Sequence, residues 1–466
     1  MLSPSVYARR RDALLDADAP ASGLVLLPGN ESAAMNYRGN PYPFRQDSTF
    51  LYYFGVDTPG IDGLIDLDDG AVRLYGDDPT LEDVIWMGTQ PSLQAYAERA
   101  GVPETAPRSR LSADVAAAVD AGRPVHFLPP YRDRQAGRLG ALTGIQPGRV
   151  EAYASTPLVR TVIRHRNVKS PEEIDQIEAA LETTVRMHRT AMREAAPGRP
   201  EREVAGRLSG VAEAHGRGLS FRPTCSVRGE ILHNHDYSRT MQADDLLLVD
   251  AGGTSPEHYA GDVTRTFPVD GRFTARQRDL YDAVLDAQTT AIDAVEPGVP
   301  FREVHLRACR VLTEHLIGLD LMEGPVEDAV AAGAHALFFP HGLGHLMGLD
   351  VHDMENLGED RVGYADDQTR SDQFGLHTLR LARPLRPGFV LTVEPGCYFI
   401  PALIERWRGE RRHDAFINYD VVADYEGVGG IRIEDDVLVT DEGARILGPD
   451  LPKLATAVEE VVGQVR

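Results

Sequence analysis

Residues 246–267, LLLVDAGGTSPEHYAGDVTRTF, constrain the fold more than any other stretch. Two apolar runs of strand length flank Gly252, Gly253, Ser255 and Pro256, so the chain reverses near Pro256 and the arms pair antiparallel. Asp250 and Asp262 are then equidistant from the reversal and directly opposite each other, with Cβ atoms about 5 Å apart on one face. Two such carboxylates repel by roughly 3 kcal/mol at an effective dielectric near 20. A shared proton, or one or two divalent cations, would offset that repulsion. The plainer alternative is that one aspartate caps a turn while the other pairs with Arg265.

At 466 residues the chain is too long for a single ordinary core, which implies two or three domains. Its 48 basic and 71 acidic residues leave a net charge of −23, which argues against nucleic acid or an anionic membrane as partner. Cys225, Cys309 and Cys397 show no ligand or redox spacing, as in a reduced, cytoplasmic protein. The first twenty residues lack the apolar core of a secretory signal, and no apolar run approaches a membrane span.

Residues 1–165 alternate short apolar runs with helical patterns, as an α/β domain does. Leu24–Pro28, Thr49–Val56, Gly63–Leu67, Ala71–Tyr75 and Val125–Leu128 read as strands; Ser92–Ala100 and Ser112–Ala121 read as helices. Ser170, Pro171 and Glu173 then form a helix-start signature, which sets a second domain at 166–466. Ile174, Ile177, Leu181, Val185, His188 and Met192 make one apolar stripe, and His188 reads as a core histidine. PGRPEREV at 197–204 recurs as PGVPFREV at 297–304, six positions of eight alike at an offset of 100, each after an amphipathic helix. Two related α+β halves follow from that repeat.

The second half carries chemistry of its own. His341, His345 and His352 fall within twelve residues, and Pro340 with the interleaved glycines disfavours a helix there, leaving a loop or irregular strand. Thr392 and Glu394 share a strand face, and so do Arg432 and Glu434, whose plain reading is an exposed face with a weak ion pair. Taken together, Asp250, Asp262, His345, Glu394 and Glu434 supply four carboxylates and one imidazole, a set two divalent ions can share, with Arg432 placed to offset the remaining negative charge.

LLLVDAGG, YAGDVTRTF, HGLGHLMGLDVHD, TVEPG and GIRIEDD resemble, in order, the ligand-bearing segments of aminopeptidase P, the Xaa-Pro aminopeptidases. The resemblance covers nearly the whole chain. It implies a creatinase-type N-terminal domain followed by a pita-bread catalytic domain with halves related by a pseudo-two-fold. It implies that Asp250 binds one metal, that His345 and Glu394 bind the other, and that Asp262 and Glu434 bridge them, the ions being manganese first, with cobalt or zinc as alternatives. It makes Glu394 the general acid/base, His233 and His352 contacts of the scissile peptide, and His341 a shaper of the proline pocket, with Arg432 at the substrate side. The implied substrate is a peptide with proline at position 2, and the implied assembly a homodimer or homotetramer. Prolidases share these motifs, so an Xaa-Pro dipeptidase is the alternative. Metal-free creatinase and inactive peptide-binding relatives lack the ligands, methionine aminopeptidase would not need the long N-terminal domain, and the excess of carboxylates disfavours a mononuclear iron oxygenase.

Overall fold

The computed structural model describes residues 2–15 and 19–463. It divides into two compact units: Met1–Arg166 with Asn356–Gly358, and Asn167–Glu355 with Glu359–Arg466. Among the described residues no helix is long and apolar enough to cross a membrane.

The first unit is built on a mixed sheet of β1 (Leu24–Pro28), β2 (Asp62–Asp66), β3 (Val72–Gly76), β4 (Glu104–Pro107) and β5 (Val125–His126), in the order β4-β3-β2-β1-β5. β1 is apolar throughout and buried at every position because it lies inside the sheet between β2 and β5. The expected strand at Thr49–Val56 is instead a helix, Ser48–Phe54. The Asp47 carboxylate caps it by accepting the Phe50 N–H at 2.8 Å, and Gly55 ends it at φ 61°. All seven helical residues are buried, and a short run buried on every side has no periodicity that separates helix from strand.

The second unit repeats one pattern twice. Helices α1 (Pro171–Glu194) and α2 (Glu201–His215) pack together, as do α3 (Ala275–Asp293) and α4 (Phe301–Gly318). The two PG motifs act alike. Gly198 and Gly298 take φ of 84° and 85°, and each donates its N–H at 2.8 Å to a distant carbonyl, of Met241 and Leu385 respectively. At the start of α1, Glu173 accepts the Ser170 N–H at 3.1 Å, and Ile177, Leu181, Val185, His188 and Met192 are buried as the stripe requires.

The strands are β6 (Thr224–Ser226), β7 (Leu246–Ala251), β8 (Val263–Pro268), β9 (Val390–Val393), β10 (Gly396–Tyr398), β11 (Gly430–Arg432), β12 (Asp435–Thr440) and β13 (Gly443–Ile446). They form sheets β8-β7-β6 and β9-β12-β13, with β10 paired to β11. The β7–β8 hairpin forms, but its register differs by one step from equidistance about Pro256: Asp250 faces Thr264. Asp262 is therefore a diagonal neighbour of Asp250 on the same face. The glycines do not make the turn. A Cβ on Gly252 would lie 1.7 Å from the Gly261 carbonyl oxygen, so that glycine serves close strand approach. His258, at φ 67°, takes the left-handed position, and the reversal falls at 257.

His188 is fully buried, with Nε2 3.2 Å from the Ala251 carbonyl behind the hairpin. Burial, then the charge of Arg265, pushes its pKa from 6.5 down to about 4. The unfolded chain therefore binds a proton that the folded chain refuses. The neutral ring is tolerated above about pH 6.5, and stability falls by roughly 3 kcal/mol as pH drops through the window toward 4. His188→Gln is expected to lose less stability than the parent between about pH 7.5 and about pH 4.5 in denaturant titrations. Equal losses would remove His188 as the source.

Candidate active site and metal centre

The hairpin supplies the first carboxylates. Asp250 accepts a hydrogen bond from Arg432 Nη2 at 2.6 Å, and the opposing Thr264 hydroxyl donates to Glu434 at 2.6 Å while accepting from Arg432 Nε at 3.1 Å. Thr266 locks the neighbouring segment: its hydroxyl accepts the Arg432 N–H at 3.1 Å and donates to the Arg432 carbonyl at 3.0 Å. The face carrying Arg432 and Glu434 is thus interior, 3 % and 2 % exposed, and not a solvated ion pair. The alternative in which one of the two aspartates pairs with Arg265 is overturned too, because Arg265 is bound to Asp435 at 2.6 Å.

The histidine segment runs as an irregular strand beside β9. Met347 N–H donates to Val390 O, Thr392 N–H to His345 O and Glu394 N–H to Leu343 O, at 2.8–3.0 Å. Those bonds bring His345 beside Glu394. His345 Nδ1 faces the Leu346 carbonyl at 3.2 Å, which can only accept, so the proton belongs on Nδ1 and the lone pair on Nε2. That lone pair points at Asp262 Oδ2 at 3.5 Å and Glu394 Oε1 at 3.7 Å. Three electron-rich atoms facing one another beyond hydrogen-bond distance call for a cation among them. Asp262, His345 and Glu434 place one ligand atom each within 4.8 Å of one another, and Asp262 Oδ1, also buried, has no hydrogen-bond partner in the protein.

The carboxylates separate into two classes by counter-charge. Burial alone would raise Asp435, but Arg265 and Lys453, the latter at 2.7 Å, together hold it below the usual carboxylate range. Asp262 is pushed well above that range by burial and then by Asp250; Glu434 rises by burial and then by Asp262. Burial also raises Glu394, against the pull of His345 and Arg432. One arginine does not balance this group. Oxygen-rich donors with a single imidazole suit hard-to-borderline divalent ions, so the residues fit the metals the sequence implies.

A cavity of about 390 Å³ opens over these groups, and His233, His341, His352 and Arg432 all line it. His341 is held by two neighbours: Nδ1 donates to its own segment at Gly342 O, and Nε2 accepts from the Tyr398 hydroxyl, each at 2.8 Å. Tyr398 accepts in turn from Arg432 Nη1 at 3.0 Å. Burial, then Arg432, holds His341 neutral with a pKa of about 3. His352 packs its ring 4.0 Å from that of His345 and bonds Glu355 at 3.1 Å, which Arg380 braces at 2.6 Å. The stretch 354–383, between the histidine segment and β9, therefore supplies the support of His352. His233 sits on a loop that crosses β11 closely, where a Cβ on Gly229 would lie 2.4 Å from the Gly430 carbonyl oxygen.

Sequence reading missed Thr264, Tyr398, Glu355 and Arg380. Thr264 was accessible from a correct hairpin register. Glu355 stands three residues from His352 and so had a local signal, whereas Tyr398 and Arg380 are defined by partners distant in the chain.

Residues 175–441 match the model of metallopeptidase family M24. The chain belongs to metallopeptidase family M24. Residues 7–126 match the aminopeptidase P N-terminal domain, so the two-part architecture with a pita-bread catalytic region is the one expected. This M24 chain is 32% identical over 476 residues to the Xaa-Pro aminopeptidase of Escherichia coli strain K12, covering 100% of this chain and 99% of that protein. It is 33% identical over 441 residues to the human Xaa-Pro dipeptidase, covering 92% and 86%. Its fold matches Escherichia coli aminopeptidase P in complex with substrate at a TM-score of 0.81 and 29% identity, and a Pseudomonas aeruginosa aminopeptidase at 0.82 and 27%, each over 100% of this chain and 99% of the other. The Escherichia coli enzyme is also known zinc-substituted, in complex with product, and matches at 0.81 and 30% identity. Divalent metal chemistry is thus a property of the family and of the donor set found here.

Proposed function

We propose that this M24 metallopeptidase is an Xaa-Pro aminopeptidase that hydrolyses the bond between an N-terminal residue and a penultimate proline. The observation that carries the reading is the His345 lone pair facing Asp262 and Glu394 among buried carboxylates that the single arginine Arg432 does not balance. Asp250, Asp262, His345, Glu394 and Glu434 would hold two divalent ions, manganese by preference. When bound, the ions supply Lewis acidity and lower the pKa of water. Glu394 takes the proton of the attacking water and delivers it to the departing proline nitrogen, steadied by the Thr392 hydroxyl at 3.3 Å. His233 and His352 contact the scissile peptide, and His341, fixed by Tyr398, walls the proline pocket. Arg432 orients Asp250 and belongs to the substrate side of the cavity it lines.

We assign residues 1–165 to the N-terminal domain and 166–466 to the catalytic domain. The free, buried cysteines suit a reducing cytoplasm. Support for a homodimer or homotetramer comes from the helix Leu81–Met87, whose Leu81, Ile85, Trp86 and Met87 are each at least 70 % exposed.

The reading is tested on chelated protein reloaded with manganese. Cleavage of an Xaa-Pro-Yaa tripeptide, with an Xaa-Ala-Yaa control left intact and activity lost again on chelation, is the expected result. Exclusive cleavage of the Xaa-Pro dipeptide would make the enzyme a prolidase, and full activity without metal would end the proposal. His233→Ala is expected to lower turnover by about a hundredfold or more while leaving bound metal unchanged, because it removes one donor to the reacting peptide. His235→Ala on a parallel preparation is the comparison. Turnover that falls only in step with metal content would sink the role of His233.

A further inference from the structure

A second group of metal-competent side chains lies in the core of the catalytic region. His305 and Cys309 stand one turn apart on one face of α4, and His335 comes to them from the 3-10 turn Ala334–Leu337. All three are buried, at 0 %, 0 % and 1 % exposure. One ligand atom from each lies within 4.8 Å of the others, and Cys309 Sγ is 3.4 Å from His305 Nε2. A thiol–imidazole hydrogen bond accounts for that one contact only. His305 Nδ1 and both ring nitrogens of His335 have no hydrogen-bond partner in the protein. A neutral imidazole always carries one N–H and one lone pair, and each such group buried unpaired costs about 1–3 kcal/mol. An ion takes one nitrogen of each ring: it would fill the lone pair that the protein leaves open on His335 and replace the thiol–imidazole contact of His305, leaving one N–H on each ring, and the convergence of both rings on one thiol is the arrangement a ligand set requires.

We propose that His305, Cys309 and His335 form a second metal site that takes a borderline divalent transition ion of the zinc type. The donor set decides the class: one sulfur and two nitrogens with no oxygen suit zinc, whereas the carboxylate-rich centre suits a harder ion. Ligands about 2.0–2.3 Å from zinc in a tetrahedron lie roughly 3.3–3.8 Å apart, so a modest contraction of the cluster closes the site. On binding, a sulfur–metal bond forms and the Cys309 thiol proton leaves to solvent. The ion ties α4 to the segment that leads into the active site. The His305 ring stands 5.4 Å from that of Phe339, which stands 4.8 Å from that of His341. Its role is a structural pin and is independent of which peptides the enzyme cleaves.

The full chain is produced in cells with cobalt as the only added transition metal, and its near-ultraviolet spectrum is recorded. The carboxylate centre contains no sulfur, so a thiolate-to-cobalt charge-transfer band reports Cys309 ligation alone. The expected result is a band in the parent protein that is lost in Cys309→Ser and kept in Cys225→Ser, with one fewer bound ion per chain in Cys309→Ser. Should Cys309→Ser not fold, X-ray absorption at the cobalt edge of the parent protein decides by the presence of a sulfur neighbour. A parent protein whose cobalt carries no sulfur ligand, or which takes up no cobalt, overturns the site, as does a band that survives Cys309→Ser. A water molecule bridging the rings is the reading that would then remain.

Discussion

Asp262→Asn is expected to cut turnover by about a thousandfold or more and to weaken metal binding, while making the metal-free protein more stable. The substitution is isosteric, so the hairpin should persist. It replaces a carboxylate oxygen 3.5 Å from the His345 lone pair with an amide that can donate to that lone pair. It also removes a charge from a group in which burial and Asp250 already drive the Asp262 proton affinity well up. A carboxyl raised in the folded state binds protons the unfolded chain would release. In metal-free protein stability therefore declines as pH rises from the ordinary carboxylate range toward the folded pKa, and the asparagine variant should escape that share of the decline. Bound metal, turnover and denaturant stability with and without chelator give the three readouts. Two ions bound as tightly as in the parent would show that Asp262 does not hold them.

Arg432→Met should carry the second largest effect, a loss of about 3–5 kcal/mol, because one partner of a buried ion pair is removed and the other left behind. The guanidinium is 3 % exposed and serves Asp250, Tyr398 and Thr264 at 2.6, 3.0 and 3.1 Å. Methionine fills similar space, so the loss reports charge and hydrogen bonding, not a cavity. Arg432→Lys should fall between the two, since one ammonium cannot reach three partners in the geometry of a planar fork. Denaturant unfolding of all three proteins in the metal-loaded state measures the series. A loss below about 1 kcal/mol for Arg432→Met would mean that the carboxylates do not depend on this charge.

Both predictions turn on residues whose chemistry was visible in the chain before their partners were. Asp250 and Asp262 were placed on one hairpin face, yet the step between opposite and diagonal depended on the turn. The glycines looked like the turn residues and proved to be points of close approach, and His258 took the left-handed position. Ser48–Phe54 failed for a related reason: an apolar run buried on every side loses the alternation that identifies its secondary structure.

The sequence by itself determined the domain order, the repeat that pairs α1 and α2 with α3 and α4, and the residue types from which a carboxylate-rich metal centre can be built. These properties are written in periodicity, turn chemistry and donor identity, which are local. Only the tertiary structure decided that Arg432 and Glu434 are interior, that Arg265 serves Asp435 and leaves Asp262 without a cation, and that Tyr398 and Glu355 steer the histidines. It also brought His335 to His305 and Cys309. Burial and counter-charge are set by what the rest of the chain places around a side chain, and contacts between residues distant in the chain leave no periodic trace in the residues that make them.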